Sequence, residues 1–375
     1  MQDLGLILFD SLPEETLPES VNELIKLVKK TIHKNYRLAK VLQKRIAFHY
    51  GNMPLLIREE VEKLFKTGEI KYLICTSTLL EGVNLPAKSI FIRKPNRGNH
   101  KPMNQNDFWN LAGRAGRWGK EFSGNIICIE PQDWKTPPTP NKRKQLIRRA
   151  LDKIEKDSTD LANFIEKGSL REEAERRPDL EFAFGYYYTN FLNGDRLSTN
   201  DNLNRQLFGK FKTIKEKIKI PANIIKRNPG ISPLAQQLLL DYFTENLHRV
   251  DEMVPVYPED ENAYQEYAKL IGRIGKTISV YPSQLTNSRS ILLIYWMSGK
   301  PLSFLIRKSY ESYQKNPVKY KAKTLPVVIR EVMKNVEDFV RFRFAKDSSC
   351  YIDILRHFFV IIRDRPLLAS FLMLC

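Results

Sequence analysis

The sequence predicts an α/β domain with a parallel sheet, followed by a mainly α-helical region. In the first third of the chain, short apolar runs alternate with segments of helical periodicity, as expected when crossover helices join parallel strands. After a proline-rich stretch at residues 131–142, helical periodicity continues through most of the chain. The length of 375 residues exceeds one ordinary hydrophobic core, so we expect two or three domains.

Short apolar runs predict the strands of the sheet. They lie at residues 46–48, 72–75, 89–92 and 125–129. Helices are predicted from Val21 to Gln43 and from Ile57 to Phe65, with Gly68 ending the second. The run Leu6–Phe9 stands where the opening strand of the domain would lie, and a Pro- and Glu-rich loop follows it.

Prolines organise the rest of the chain. Four of them within residues 131–142 exclude regular helix or strand and mark a linker. Beyond the linker, helical periodicity recurs at residues 143–166, 171–192, 203–219, 233–248, 261–274, 289–296, 301–313 and 325–344. The segment 351–375 is strongly apolar but carries interspersed charges, so we expect a core helix and not a membrane span.

The first informative motif is residues 72–92, YLICTSTLLEGVNLPAKSIFI. Thr76, Ser77 and Thr78 lie where the predicted strand ends, and hydroxyl groups at the carboxyl end of a parallel strand can donate to a phosphate. Gly82 allows backbone N–H groups to approach the same phosphate. Thr78 and the glutamate three residues later also form a capping box. Both explanations agree, because a capped helix start itself binds anions.

The second motif is residues 110–117, NLAGRAGR. Asn106 or Asp107 can cap a helix that carries Arg114 and Arg117 three residues apart, hence on one face. Two adjacent guanidinium groups match a polyphosphate. The glycines of the motif are poor residues for an exposed helix, since glycine costs about 1 kcal/mol relative to alanine, so packing or a close ligand must justify them. Taken alone, a solvated arginine pair is the alternative.

Together, the two motifs resemble motifs V and VI of superfamily 2 helicases, in the Ski2-like and Hel308-like branch of the DEAD/DEAH-box enzymes. That branch has TxTLxxGVNLPA followed by QxxGRAGR. The resemblance continues upstream through IAFHYGNMPLLIREEVEKLF and downstream to SGNIICIEP, over roughly residues 30–131. Asn110 stands where the common pattern has Gln, and a shorter amide reaches less far towards a nucleotide, while both arginines are in place.

The resemblance implies a domain order. Residues 1–131 would form the second RecA-like helicase domain, of the helicase C-terminal type, and residues 132–140 a proline-rich linker. Residues 141–230 would form a winged-helix region, and residues 231–375 a helical domain.

The resemblance also assigns roles to residues of the two motifs. Arg114 and Arg117 would be catalytic, as arginine fingers that reach the γ-phosphate of ATP. The implied nucleotide-binding residues are Gly82, Asn84, Asn110, Gly113, Arg114 and Arg117. The implied contacts to single-stranded DNA or RNA are His49, Gly51, Thr76, Ser77 and Thr78.

A helicase motor also needs a phosphate-binding loop and an acidic metal-binding motif. Gly275, Lys276 and Thr277 imitate the end of such a loop, but Leu270 occupies the position of its first glycine and the preceding residues predict a helix. The pair Asp251–Glu252 lacks a preceding buried strand. We therefore expect the C-terminal part of a larger helicase, inactive as an isolated chain. ATP and Mg²⁺ would bind only together with an N-terminal RecA-like domain that is encoded elsewhere or missing.

The charge of the chain favours a polyanionic partner. Lys and Arg number 61 against 43 acidic residues, a net charge of +18, and nucleic acid is the commonest partner of such proteins. The alternative function is a nucleic-acid-binding or protein-interaction module without ATP turnover of its own, since the charge alone suffices for binding.

The cysteines, the histidines and the apolar runs of the sequence predict neither a disulfide nor a metal site nor a membrane segment. The four cysteines have no CxxC spacing and the five histidines are scattered, so we expect free thiols and no metal site. The N-terminus has acidic residues in place of a basic leader, and no apolar run reaches about 18 residues. A cytoplasmic protein without membrane association is expected.

Overall fold

The computed structural model describes residues 1–76, 85, 87–93, 95–97, 101–116, 124–135, 154, 158–198, 200–315 and 323–363. The chain divides into two compact units. The first comprises Met1–Leu146 and Pro301–Lys334, and the second comprises Ile147–Lys300 and Asn335–Cys375.

The strands found among the described residues lie in the first unit. They are β1 (Ile46–His49), β2 (Tyr72–Cys75), β3 (Ser89–Arg93), β4 (Asn96–Arg97), β5 (Lys101–Pro102) and β6 (Asn125–Ile129). β1 pairs in parallel with β2, and β3 pairs in parallel with β6, while β4 and β5 form a short antiparallel pair. The parallel pairing predicted from the sequence is therefore confirmed, but the described strands form separate two-stranded pairs where one sheet was expected.

Helices account for most of the described residues. In chain order they are α1 (Gln2–Ser11), α2 (Glu19–Thr31), α3 (Arg37–Val41), α4 (Leu55–Thr67), α5 (Gln105–Ala112), α6 (Ser158–Glu166), α7 (Arg171–Arg176), α8 (Pro178–Asn193), α9 (Asp201–Lys217), α10 (Ala222–Arg227), α11 (Pro233–Glu245), α12 (Ala263–Thr277), α13 (Thr286–Met297), α14 (Leu302–Lys315), α15 (Leu325–Lys334) and α16 (Ala345–Arg363). A π-helix at Asn335–Phe344 leads into α16.

Two predictions for the N-terminal residues need correction. The run Leu6–Phe9 is not a strand but part of α1, because a short apolar run does not distinguish strand from helix by periodicity. The single helix expected from Val21 to Gln43 is divided into α2, α3 and a 3₁₀ turn, with a turn at His33–Tyr36 between the first two.

Helix α4 follows its prediction closely. It buries Ile57, Val61, Leu64 and Phe65 on one face. It ends at Gly68, whose φ of 86° lies in the left-handed region that glycine adopts without steric cost. This amphipathic helix supports β1 from one side.

Helices α14 and α15 belong to the first unit, although the sequence placed residues 301–334 in the C-terminal helical domain. Both helices bury an apolar face, and α14 contacts α2. The hydroxyl groups of Tyr36 and Tyr50 lie 2.7 Å apart, and Tyr50 Oη donates to Sδ of Met333 in α15 at 3.3 Å. Packing between segments distant in sequence thus decides where α14 and α15 belong.

The described residues of the second unit form helices around an aromatic core. Phe184 stacks on Phe211 at 5.7 Å between ring centroids, and Phe243 meets Tyr351 edge to face at 5.1 Å. The stretch of helical periodicity at residues 171–192 is divided into α7 and α8, and Pro178 is the first residue of α8. Among the described residues of 158–230 there are helices and no strand, so the winged-helix region rests on the sequence alone. None of the helices described in either unit is long and apolar enough to cross a membrane.

Candidate nucleotide and nucleic-acid site

The first part of the candidate site is the carboxyl edge of the β1–β2 pair. The register places His49 opposite Cys75, so both strands end at the same level. Thr76 is exposed and comes directly after β2, where the sequence predicted contacts to single-stranded DNA or RNA. Its neighbours in the motif, Ser77, Thr78, Gly82 and Asn84, lie outside the described residues.

The second part is the turn after α5. Asn104 begins this helix, because its side-chain oxygen accepts the Asp107 N–H at 2.8 Å. The predicted caps Asn106 and Asp107 are therefore wrong: both lie inside the helix. The helix also ends earlier than predicted, at Ala112, so Arg114 lies in the following turn and not on a helix face.

Backbone pairing with Ala87 explains why the helix ends there. The Ala87 N–H donates to the Arg114 carbonyl at 3.0 Å, and the Gly116 N–H donates to the Ala87 carbonyl at 2.8 Å. These bonds form a short parallel bridge between Ala87 and Ala115, just before β3 begins. The turn that carries Arg114 is thus fixed by the strand edge beside it.

The glycines around this turn are explained by packing. Gly116 has a φ of 98°, which strongly favours glycine. A β-carbon on Gly124 would lie 2.1 Å from both the Ala115 carbonyl carbon and the Gly116 nitrogen. Gly113 is exposed, and a β-carbon there would lie 3.3 Å from the Trp109 carbonyl oxygen. The left-handed backbone conformation therefore accounts for Gly116, and close backbone approach accounts for Gly124, without a ligand.

Electrostatics connects the two parts of the site. Burial raises the pKa of the Cys75 thiol to about 12, and the positive charge of Arg114 acts in the opposite direction. Arg114, which is half-buried, therefore lies within electrostatic range of the end of β2. Asn110 is exposed on the last turn of α5, and Arg117 lies outside the described residues. The structure brings Arg114 and the strand end before Thr76 to one region of the first unit.

His49 and Gly51 occupy different environments. The His49 side chain is buried, with 2% exposed, and its Nε2 lies 2.8 Å from Glu62 Oε1 in α4. Burial lowers the pKa of His49, and the Glu62 carboxylate partly opposes this effect. Gly51 is exposed, and its carbonyl accepts from Arg58 Nη1 at 3.4 Å. His49 is therefore placed to hold the loop after β1 in position, whereas Gly51 is accessible.

Several residues of the site were not found from the sequence. They are Arg58, Glu62, Ala87, Asn104 and Gly124. The Asn104 cap could have been found, because an asparagine three residues before an aspartate is a recognisable helix start. The others act through contacts between different elements of the fold, which leave no pattern in the local sequence.

Comparison with known proteins decides the family of this region. The family model described as the helicase conserved C-terminal domain matches residues 16–119. This segment is a helicase C-terminal domain. The resemblance to the Ski2-like and Hel308-like branch of superfamily 2 helicases is confirmed by its relatives. The helicase C-terminal domain is RecA-like, so this part of the predicted fold holds as well.

Three relatives illustrate the likeness. The chain is 37% identical over 94 residues to Anti-bacteriophage protein B of Escherichia coli K12, covering 24% of this chain and 13% of that protein. It is 38% identical over 100 residues to the ATP-dependent DNA helicase Hel308 of Aeropyrum pernix, covering 26% and 14%. It is 36% identical over 92 residues to the antiviral helicase SKI2 of Saccharomyces cerevisiae, covering 24% and 7%. The matched region is thus a small part of each relative.

Proposed function

We propose that this chain supplies the second RecA-like domain of an ATP-dependent nucleic-acid helicase or translocase. Arg114 and Arg117 are its arginine fingers, acting on ATP that is held mainly by an N-terminal RecA-like domain. The observation that supports this proposal best is the proximity of Arg114 to the carboxyl end of β2. Arg114 belongs to the motif proposed to contact the nucleotide, and the end of β2 belongs to the motif proposed to contact the nucleic acid, so their proximity would couple the two ligands.

The roles of the individual groups follow from their chemistry. A guanidinium group presents a planar fork that matches the oxygens of a phosphate, and charge stabilisation is the main contribution a protein makes to phosphoryl transfer. In this proposal Gly82, Asn84, Asn110 and Gly113 line the nucleotide side of the cleft. Among the described residues no group of three or more His, Cys, Asp or Glu could hold a metal ion, and the proposal assigns the Mg²⁺-binding acids to the N-terminal RecA-like domain.

The proposed strand contacts are Thr76, Ser77, Thr78 and Gly51, with His49 orienting the loop that carries Gly51. Hydroxyl and backbone N–H donors at a strand end bind phosphates without reading bases, so we expect little sequence preference. The partner is single-stranded DNA or RNA.

The decisive experiment measures ATP hydrolysis by the chain combined with a matching N-terminal RecA-like domain, with and without a single strand. The chain alone is expected to show no turnover. In the combined protein, Arg117→Ala is expected to reduce stimulated turnover about 10³-fold. Arg114→Lys and Arg117→Lys are each expected to lose most of the stimulated turnover, because lysine keeps the charge but not the planar guanidinium fork.

Arg93→Lys is the matched control. Arg93 is an exposed arginine of β3 that pairs with Glu130 at 3.2 Å, and lysine preserves that surface pair. Normal stimulated turnover in Arg117→Lys would refute the arginine-finger assignment. Equal losses in Arg93→Lys would show a general folding effect instead of a catalytic one.

A second candidate is a nucleic-acid-binding module without turnover. The net charge of +18 favours it, because such a charge supports phosphate binding without any nucleotide site. Strand binding that is unchanged by ATP, in the presence of the N-terminal RecA-like domain, would support this candidate over the first.

A further inference from the structure

A basic cavity lies in the second unit and shares no residue with the site described above. It has a volume of about 260 Å³ and lies between the end of α11, the 3₁₀ turn Leu247–Met253 and helix α12. Tyr242, Arg249, Lys269, Gly272, Arg273 and Lys276 are among the residues that line it. It includes Lys276, which the sequence singled out as an imitation of a phosphate-binding lysine and which lies in the last turn of α12.

Positive charge is concentrated on one face of α12. Lys269, Arg273 and Lys276 are spaced by four and three residues, which places them side by side on a helix. Arg249 adds a fourth cation from the turn. The lining carboxylate, Glu252, is held by Arg249 through contacts of 2.6 Å and 3.0 Å, so it neutralises that arginine. Lys269 also has its own partner, Glu266, at 2.9 Å.

Arg273 is a buried cation that forms no ion pair within the part of the chain that the structure describes, although its charge also acts on the Glu252 carboxylate of the same cavity. Only 8% of the residue is exposed, and its Nε has no hydrogen-bond partner. Burial raises the pKa of the neighbouring Tyr351 hydroxyl to about 12, with Arg273 acting in the opposite direction, so this neighbour is a neutral phenol and no counter-ion. Glu252 is held by Arg249 and compensates Arg273 only in part. Burying a partly compensated charge is costly, and an anion in the cavity would complete the compensation.

The shape of the cavity limits the size of the anion. Gly272 leaves open space, because no atom other than its chain neighbours and the backbone of its own helix lies within 4 Å of the position that its β-carbon would take. A volume of about 260 Å³ is just below the range of pockets for drug-sized ligands. Two exposed carboxylates flank cavity residues in the sequence, since Glu245 precedes Asn246 and Asp251 precedes Glu252. These carboxylates would repel a long polyanion that passed across the opening.

We propose that this cavity binds the phosphate groups of a small molecule, of the size of pyrophosphate or of the phosphate end of a nucleotide. Arg273 and Lys276 contact the anion, and Gly272 leaves room for it. This site is independent of the helicase role, because it uses no residue of the helicase C-terminal domain.

Titration calorimetry of the whole chain with inorganic pyrophosphate, at constant ionic strength and without Mg²⁺, tests the proposal. We expect saturable binding to one site. Lys276→Glu should weaken it at least about tenfold, since reversing a charge beside a divalent group costs more than about 1.4 kcal/mol. Lys276 is exposed, so this variant is expected to fold.

Two further variants make the result specific. Lys215→Glu changes the net charge by the same amount at an exposed position of α9 and should leave binding unchanged. Gly272→Leu fills the cavity without changing any charge and should abolish binding while the thermal midpoint of unfolding is retained. Equal weakening in Lys215→Glu, or normal binding in Gly272→Leu, would refute the proposal.

The source of the phosphate is decided by competition. A single-stranded oligonucleotide should not displace pyrophosphate from this cavity. If it does displace pyrophosphate, and if Lys276→Glu weakens strand binding as much as it weakens pyrophosphate binding, the cavity is a backbone contact for nucleic acid and the small-molecule proposal is overturned.

Discussion

Gly124 and Ala115 approach each other so closely that a β-carbon on Gly124 would lie 2.1 Å from the Ala115 carbonyl carbon. Gly124 immediately precedes β6, and Ala115 immediately follows Arg114. The start of one strand therefore fixes the backbone beside the proposed catalytic arginine. This contact gives the first prediction.

Gly124→Ala is expected to destabilise the first unit by about 1–3 kcal/mol, because the new methyl group meets backbone atoms that cannot rotate away. It should also displace the Arg114 turn. Urea unfolding measures the first effect, and loss of stimulated ATP turnover in the combined protein measures the second.

Gly5→Ala is the control for Gly124→Ala. Gly5 lies in α1, where a β-carbon would come no closer than 3.5 Å to a neighbour, and alanine gains up to about 1 kcal/mol in a helix interior. If Gly124→Ala were as stable as Gly5→Ala, the packing explanation for this turn would be wrong.

Strand binding by the whole chain is expected to weaken steeply with salt. Phosphates neutralised by lysine and arginine release counter-ions, with a slope of about −0.7 per contact in a plot of log K against log salt concentration. Fluorescence anisotropy with a labelled single strand between low and moderate salt provides the measurement. A flat titration would leave the net charge of +18 without this role.

His49 is expected to make the stability of the first unit depend on pH. Its pKa is lowered in the folded protein, chiefly by burial, so the unfolded chain binds more protons near the ordinary histidine pKa of about 6.5. The contribution is complete above that pH and is lost as the pH falls through the lowered folded-state pKa.

Comparing the wild type with His49→Gln isolates this contribution, since the other histidines remain in both proteins. The free energy of unfolding should decrease less in the variant than in the wild type between pH 7 and pH 5. Replacing the exposed His248 by Gln is the control. Identical pH profiles for the wild type and His49→Gln would show that His49 is not buried in its neutral form.

The buried pair of Arg171 and Glu181 is expected to be essential for the second unit. The arginine donates to both oxygens of Glu181 at 2.9 Å and 3.0 Å, and the Ser232 N–H donates to the same carboxylate at 2.8 Å. Glu181→Gln leaves a largely buried guanidinium without its counter-charge and should cost about 3–5 kcal/mol, measured by urea unfolding.

The double variant Arg171→Met with Glu181→Met tests the reason for this cost. Because it removes both charges together, it should lose much less stability than Glu181→Gln. If the double variant were the less stable protein, the attraction within the pair would outweigh the penalty of leaving one charge unpaired.

The sequence predicted well the features that depend on neighbouring residues. The strand Tyr72–Cys75 and the end of α4 at Gly68 are local patterns, and both are found in the structure. The end of α5 at Ala112 was not predictable. The helix ends there because the next turn pairs with Ala87, which is distant in sequence. The partner of His49 was missed for the same reason, since Glu62 looks like any polar residue of an amphipathic helix.

The assignment of residues 301–334 to the first unit affects the biogenesis of the protein. The first 146 residues emerge from the ribosome long before α14 and α15. Residues Ile147–Lys300, which belong to the second unit, are synthesised in between. Until then Tyr50 lacks the Met333 sulfur as its acceptor, and the apolar surface meant for α14 and α15 stays uncovered. A gene fragment that stops after the α/β part would therefore encode an incomplete unit, exposed to chaperones and proteases for as long as it lacks its last two helices.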